Sequence, residues 1–447
     1  PGTRLVPNVD LTNEEEPMVT GATVPTRAGA AASALALVLA SSLPARANGD
    51  EANTIAFDEA LALGAETPSV RALKSTLESR QRGDEKIRGA ADLTQLTVMP
   101  GALVVPREIS GFDVQATVTQ GWNLGGLGKD RRKAASLERG ALSASVRARA
   151  LRARLEAARR WIDLDTLERV AESLESRIEV AKTLIDRREQ ALATEVGTTQ
   201  LLTESQAVLA QLRQRRLAIE GDQFAAATQL ALAVGRAPEE ERLVTTGDPP
   251  NPILPDTEEI RRRFGDIDAL PDLVVARLRE TTAHARAIEA SAEYAPLLTT
   301  GAQAVRHAGE LRAWIVYGIA GLSFRGPGQE RRSTSTALAD AAGAAVETDA
   351  TRLEARAELE AALHELEHTA AVLDLLETQT LPALRLLVEN RTRAVALGEE
   401  SYFALSEAHD RELAAIEATH RARGAHTWAR VHLWLLLAEV ETGGAAR

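Results

Sequence analysis

The hydrophobic and polar positions of this chain follow a helical period over very long segments. Residues 129–196 contain no proline and a single glycine, Gly140. At 1.5 Å per residue, a helix of this length would extend about 100 Å. Its apolar residues recur three and four positions apart, which predicts a stripe that packs on a partner helix: Leu167, Val170, Leu174, Ile178, Ala181 and Ile185.

A second long helix is predicted to return along the first. It covers residues 199–234 and stops before Gly235 and Pro238, an ordinary termination signal. The second half of the chain repeats this plan, with an outgoing helix over 331–397 and a returning helix over 399–442. Pro382 lies inside the outgoing helix and should kink it, because proline has no backbone N–H to donate.

Period-two alternation predicts strands between the helices. Apolar residues alternate with polar ones over residues 112–124, and only Gln120 breaks the apolar face. This pattern is typical of a membrane barrel strand that faces a wet lumen, and equally of a half-exposed strand in a soluble sheet. Further strands are predicted near 96–105, 296–305 and 314–324.

The two halves are copies of one module. The segment 122–132 reads WNLGGLGKDRR, and 322–332 reads LSFRGPGQERR. Gly126 matches Gly326, and Gly197 later matches Gly398. The order and spacing of such matches persist through both halves, which indicates a duplication.

The duplication defines the domain organisation. The first repeat is 48–235, with a short helix near 69–92, a strand pair at about 96–124 and a helical hairpin at 129–235. The second repeat is 271–442, with a short helix near 271–293, a strand pair at about 296–324 and a hairpin at 331–442. Residues 236–270 are rich in proline and are predicted to form a linker or irregular surface segment, and 443–447 form a tail.

The N-terminal region has the features of a secretory signal peptide at 18–47. Arg27 precedes an uncharged, mostly apolar run over 28–43, and Ala45-Arg46-Ala47 forms a small-x-small cleavage site, so the mature chain would begin at Asn48. Residues 1–17 would be an upstream extension. The alternative is a disordered, alanine-rich tail.

Composition narrows the function classes. The chain has 447 residues, a net charge of −12 and only 3% aromatic residues. An acidic chain is a poor match to a phosphate backbone, so nucleic acid is not an expected partner. The absence of cysteine excludes disulfides, thiolate metal sites and an acylated lipoprotein anchor.

No later stretch reaches 18 uninterrupted apolar residues, so a membrane crossing would need strands. Four strands cannot close a barrel alone, and other subunits would have to complete it.

The order of helix, strand pair, glycine-rich basic turn and long hairpin, present twice, resembles the TolC family of outer-membrane factors over residues 54–441. The most specific stretch is Leu381-Pro382-Ala383 followed by Gly398-Glu399-Glu400-Ser401-Tyr402-Phe403, which is similar to the tip sequence of members that serve metal-ion or drug exporters. The turns Asn123-Leu124-Gly125-Gly126 and Ser323-Phe324-Arg325-Gly326 resemble the strand-ending turns of the family.

The resemblance implies a fold that is mainly α with a membrane β-barrel part. Duplicated helical hairpins would form a coiled-coil tunnel through the periplasm, and a homotrimer would share a twelve-stranded barrel in outer-membrane lipid. A periplasmic adaptor (membrane fusion protein) and an inner-membrane pump would dock at the hairpin tips. The tip residues expected to contact the adaptor are Val196, Gly197, Thr198, Leu397, Gly398 and Glu399.

The resemblance also implies a periplasmic gate. Family members often narrow the inner mouth with a ring of acids, and Glu407 matches one such position. Ala404 stands where some members carry a second acid, so a double ring is not expected here. The alternative for Glu407 is an ordinary solvated charge on a helix.

One motif suggests catalysis instead. The stretch His364-Glu365-Leu366-Glu367-His368 fits the H-E-x-x-H pattern of zinc proteases, with two histidines on one helix face. No third ligand is evident from spacing, and the motif lies in a predicted long hairpin rather than in a cleft. The glycine-rich turns lack the lysine and spacing of phosphate loops.

Three hypotheses remain at this point. The favoured one is a passive, trimeric export duct of a tripartite efflux or type I secretion system, with no enzymatic activity and no cofactor, which would carry small molecules, drugs or metal ions. A second is a periplasmic coiled-coil scaffold without a channel. The third is a zinc hydrolase.

Overall fold

The structure is a computed structural model that describes residues 54–87, 94–105, 108–194, 198–237, 243–306, 314–324, 327–397 and 399–445. The predicted signal peptide at 18–47 and the extension at 1–17 lie outside the described residues. The elements below therefore belong to the two repeats and the segment between them.

The first repeat contains a short strand, two shorter helices, a strand pair and a helical hairpin. They are β1 (Thr54–Ala56), α1 (Phe57–Gly64), α2 (Pro68–Ile87), β2 (Thr94–Val105), β3 (Glu108–Asn123), α3 (Leu127–Ala193) and α4 (Thr199–Ala233). The 67 residues of α3 correspond to a rod of about 100 Å.

The segment between the repeats contains β4 (Val244–Thr246), α5 (Thr257–Arg263) and a 3-10 helix over Phe264–Ala269. The second repeat then contains α6 (Pro271–Ala292), β5 (Leu297–Arg306), β6 (Trp314–Ser323), α7 (Pro327–Leu375), α8 (Leu381–Leu397) and α9 (Tyr402–Ala445). The predicted fold class, mainly α with duplicated long hairpins and four longer strands, is confirmed.

Helix α2 is described as far as Ile87, and residues 88–92 of the predicted helix at 69–92 lie outside the described residues. The predicted tail at 443–447 is helical as far as Ala445. Part of the predicted linker at 236–270 is more regular and more buried than its proline content indicated. Strand β4 pairs in parallel with β1, and side chains of the segment are buried in the largest core cluster, among them Ile260, Phe264 and Ile267. Proline spacing alone did not reveal this, because the strand partner lies far away in the sequence.

Pro382 interrupts the outgoing helix of the second hairpin as predicted. The α-helical hydrogen bonding of α7 gives way to a π-helical turn over Leu376–Thr380, and α8 begins immediately after it. Proline has no N–H for the carbonyl one turn earlier, and its ring also crowds that carbonyl. A π turn, in which bonds run to the fifth residue, is one way a helix accommodates such a break.

The longer strands form one antiparallel sheet in the order β2-β3-β5-β6. The centre of this sheet is the β3–β5 pair, which joins the two repeats, with Trp122 opposite Leu298. Gly301 lies where an added Cβ would approach the Val118 carbonyl oxygen to 2.3 Å, so the close pairing at this point requires glycine. Strands β2 and β6 are the two edges of the sheet.

One face of this sheet is apolar and exposed. The register places Trp122, Leu298 and Leu322 in one row across β3, β5 and β6. Val118, Trp122 and Leu322 are all exposed large apolar residues. A contiguous apolar patch of this kind marks a surface that meets protein or lipid.

The largest core cluster joins the middle of α3 to the C-terminal ends of α4 and α9. It includes Trp161 of α3, whose side chain is fully buried. The indole Nε1 donates to the Ile55 carbonyl oxygen at 2.9 Å, and the ring meets Phe57 edge-on with centroids 5.4 Å apart. Trp161 thereby holds β1 and α1 against the long rod.

Each hairpin has a helix at its outer edge with an uncharged, outward stripe. Helix α4 packs mainly on α3, and α7 packs mainly on α6 and α9. The stripe of α4 consists of Ala210, Gln214, Leu217, Gly221, Phe224, Thr228 and Leu232. The stripe of α7 consists of Ala342, Val346, Ala350, Leu353, Ala357 and Ala361, and His364 and His368 follow it on the same helix face. Both stripes have helical spacing, and their large apolar side chains are exposed.

No helix in the described part of the chain is both long and apolar enough to cross a lipid bilayer.

Candidate functional site: the hairpin tips

The tips are the ends of the two hairpins, where each outgoing helix turns back. In the first tip, α3 ends at Ala193 and the Thr198 side chain caps α4 by accepting from the Leu201 N–H. In the second, Ser401 Oγ accepts from the Ala404 N–H at 3.3 Å at the start of α9. Of the predicted tip residues, Thr198, Leu397 and Glu399 are exposed, whereas Val196, Gly197 and Gly398 lie outside the described residues.

Arg188 joins three helices just above the tips. Its guanidinium donates to the Leu201 carbonyl oxygen and to Ser205 Oγ, both on α4. The same group lies over the Tyr402 ring of α9, with 3.7 Å between Cζ and the ring centroid. Arg188 of α3 therefore ties the first hairpin to the second through a cation–π contact.

The predicted gate acid Glu407 is exposed on α9. Its carboxylate accepts a hydrogen bond from the Arg411 guanidinium at 2.6 Å, one helical turn away. The Glu407 side chain is open to solvent, and the positive charge of Arg411 offsets part of its negative charge. A second ion pair at the same tip joins Arg391 to Glu400.

The contact between the hairpins continues as a series of polar pairs along α9. Burial lowers the pKa of Arg177 on α3, and Glu412, Tyr402 and Asp410 of α9 oppose that effect. Further along, Arg215 of α4 reaches Glu417 at 3.3 Å, and Ser173 Oγ lies 2.9 Å from His420 Nε2. Glu417 is only 5% exposed. This polar seam also contains an apolar contact, because Leu413 of α9 is buried in one cluster with apolar residues of α3 and α4.

Four histidines lie along α9, two of them at the seam and two beside α7: His409, His420, His426 and His432. Burial lowers the pKa of each of them. His432 is also stacked on Trp428, with ring centroids 5.1 Å apart. Burial therefore favours the neutral form of each imidazole.

We expect the free energy of unfolding to fall as the pH drops from about 7.5 to 5.5. An unfolded histidine has a pKa of about 6.5, so the unfolded chain takes up more protons in this range than the folded chain does. Guanidinium unfolding followed by far-UV circular dichroism at both pH values measures the effect. His432→Phe should reduce the fall, whereas His284→Gln, at an exposed position of α6, should not. An equal or higher midpoint at pH 5.5 would contradict the prediction.

The H-E-x-x-H motif does not form a hydrolase-like centre. His364 and His368 are exposed on α7, and no group of three or more potential metal ligands occurs among the described residues. The carboxylate of Glu365 acts on His432, where it opposes the effect of burial on the pKa of that histidine. A zinc protease site would need a third ligand and a glutamate aimed at the metal.

The contacts of Arg188 were not predicted from the sequence. The periodicity of α3 places Arg188 on a face other than its apolar stripe, which does not specify a partner. The signal available was the repeat itself, because Tyr402 stands where the first copy has Leu201. An aromatic ring that is present at one tip and absent from the other suggests a contact that is specific to that hairpin.

Comparison with known proteins shows likeness in structure but not in sequence. No protein-family model matches the chain, and no curated protein matches it in sequence. Among solved structures, the Campylobacter jejuni CmeC outer membrane channel has a TM-score of 0.67 at 14% identity, and the match covers 86% of this chain and 85% of that one.

Two further channels give similar values. The Neisseria gonorrhoeae MtrE outer membrane channel, solved in its open state, has a TM-score of 0.66 at 16% identity over 85% of this chain and 88% of its own. CusC, studied for transmembrane channel formation, has a TM-score of 0.65 at 14% identity over 88% of this chain and 94% of its own. The chain therefore has the fold of the TolC-like outer-membrane factors, as the resemblance in its sequence predicted.

Proposed function

We propose that this chain is the outer-membrane channel subunit of a tripartite efflux or type I secretion system. It would act as a passive duct for small molecules or metal ions across the periplasm and the outer membrane. The similar structures are outer-membrane channels, and the energy for transport would come from an inner-membrane pump. A passive duct would not need to catalyse any reaction.

The observation that carries the proposal is that both the sheet and the helical hairpins have an exposed edge on each side of the chain. The sheet ends at β2 on one side and β6 on the other, and the hairpins end at the outward stripes of α4 and α7. Two different, uncharged edges favour a head-to-tail contact between copies, which closes into a ring. With three copies, the ring would have twelve strands and would leave no free strand edge in lipid.

The exposed apolar face of the sheet supports a position in the membrane. Trp122, Leu298 and Leu322 form a row across three strands, which is the kind of surface that lipid covers. The helical hairpins would then extend from the inner side of the membrane into the periplasm, with their tips towards the adaptor.

The adaptor would contact the tip residues Thr198, Leu397 and Glu399, together with Val196, Gly197 and Gly398. The first three side chains are exposed and available for such a contact. Glu407 would face the inner mouth in three copies. Its ion pair with Arg411 makes the resulting ring less negative than three free carboxylates would be.

Planar-bilayer recording of the purified oligomer tests the function. A channel subunit should give stable, stepwise conductance and should fractionate with outer membranes after salt washing. A water-soluble monomer without conductance would exclude the channel function.

Arg188→Ala should increase the conductance of that channel. The substitution removes the cation–π contact with Tyr402 and two hydrogen bonds to α4, all of which hold the hairpins together. A loss of about 1–3 kcal/mol from the closed state raises the open population roughly 5- to 150-fold. The measurement is open probability in the same bilayer recording.

The control for this prediction is Arg187→Ala, which removes an exposed arginine from the adjacent position. Its conductance should stay at the wild-type level. Tyr402→Leu, which installs the first-copy residue, should act in the same direction as Arg188→Ala. Unchanged gating in both Arg188→Ala and Tyr402→Leu would show that this contact does not restrain the tips.

A further inference from the structure

The two histidines of the H-E-x-x-H motif form a pair on the outward face of α7, just beyond its stripe. The rings of His364 and His368 are stacked, with centroids 6.1 Å apart and planes within 17° of parallel. Both side chains are exposed. Within the described part of the chain, neither imidazole makes a hydrogen bond or an ion pair. Their nitrogen lone pairs are therefore available to a ligand.

The spacing of the pair matches chelation of one metal ion. Residues four apart on a helix lie one above the other on the same face. Two nitrogens bound to a single tetrahedral zinc ion are about 3.3 Å apart. Rings that already face each other can reach that separation by rotation of exposed side chains, without movement of the backbone.

We propose that His364 and His368 bind one borderline transition-metal cation, such as Zn²⁺, Ni²⁺ or Cu²⁺, as a bidentate site. Imidazole nitrogen is a favoured ligand for these ions. The site lies within one helix, so it does not depend on the proposed channel function.

The surroundings make this a binding site rather than a hydrolytic one. Glu360 lies one turn before His364, and its carboxylate is 3.7 Å from the Arg261 guanidinium, which competes with a metal ion for it. Glu365 acts on His432 instead. With two protein ligands, the remaining coordination positions go to water, which gives an exchangeable ion.

The position of the pair gives a bound ion a structural consequence. The pair lies beyond the last residue of the α7 stripe, Ala361. An ion held by both imidazoles would link two successive helical turns and would stabilise the folded helix by mass action.

Isothermal titration of the untagged, detergent-purified chain with ZnCl₂ and NiCl₂ tests the site. We expect one ion per chain for the wild type. Removal of a group that only orients a metal ligand typically costs about 10- to 100-fold in metal affinity. Removal of one ligand itself, in His364→Ala or His368→Ala, should therefore weaken binding at least tenfold. His284→Ala, at an exposed position of α6, should bind as the wild type does.

A spacing variant separates chelation from simple imidazole binding. His368→Ala combined with Ala371→His keeps two histidines on the same exposed helix face. It places them seven residues apart, about 10 Å along the axis, which is too far for one ion. It should bind as weakly as His368→Ala.

Thermal unfolding provides a second measurement on the same proteins. Added Zn²⁺ should raise the midpoint of the wild type and of His284→Ala, and should leave the His364→Ala and spacing variants unchanged. Wild-type affinity in either the spacing variant or a His364→Ala/His368→Ala double variant would overturn the proposal.

Discussion

Replacement of Trp161 by alanine is expected to lower the free energy of unfolding by about 3–5 kcal/mol. The side chain is fully buried where α3 meets β1, α1 and the second repeat. Alanine would leave a cavity and would also leave the Ile55 carbonyl oxygen without its indole donor, and an unsatisfied buried acceptor adds to the cost. Guanidinium unfolding of the purified chain, followed by far-UV circular dichroism, measures the loss.

The matched control is Trp434→Ala on α9, because that tryptophan is 37% exposed. Its loss should be clearly smaller, since neighbouring solvent fills the space. Trp161→Phe keeps a ring against Phe57 but removes the N–H donor, and it should fall between the two. Equal destabilisation by the two alanine variants would mean that Trp161 does not organise this core.

Val346→Glu is expected to abolish assembly of the oligomer. Val346 is 70% exposed in the single chain and belongs to the α7 stripe that we propose to contact the α4 stripe of the next copy. A carboxylate at this point would be buried without a partner in the ring, and an unpaired buried charge costs several kcal/mol per contact. A closed ring repeats that penalty at every interface. Light scattering coupled to size exclusion measures the mass of the assembly.

Val180→Glu is the matched control for this prediction. Val180 is an exposed valine of α3 that belongs to neither stripe, so the same substitution adds the same charge away from the proposed contact. That variant should assemble as the wild type does. Leu353→Glu, further along the stripe, should repeat the effect of Val346→Glu. Normal assembly of both stripe variants would place the contact between copies elsewhere.

The two kinds of surface found on the hairpins fit different tasks. Within the chain, α9 faces α3 and α4 through polar pairs such as Arg215 with Glu417, in addition to the buried Leu413. The outward stripes of α4 and α7 carry no acidic residue, lysine or arginine at the positions named above. Apolar stripes suit a permanent contact between copies, whereas a polar seam suits a contact that opens and closes.

The sequence by itself determined the elements, because their causes are local. The three-four periodicity of residues 129–196 predicted α3 to within a few residues of each end. Alternation over 112–124 predicted β3, and Pro382 predicted the break that the structure shows as a π turn. The internal repeat also predicted the order of helices and strands, because the assignment made in one copy supports the assignment made in the other.

Only the tertiary structure decided which distant residues meet. The pairing of β4 with β1 gave structure to a segment that proline content had suggested was irregular. The contact of Arg188 with Tyr402, the ion pair of Arg215 with Glu417 and the bond from Trp161 to Ile55 join residues far apart in the sequence. Periodicity specifies which face of a helix is apolar, but the partner of that face and the rotation about each axis follow from the packing of all helices together. Contacts between the tips therefore became visible only in the folded chain.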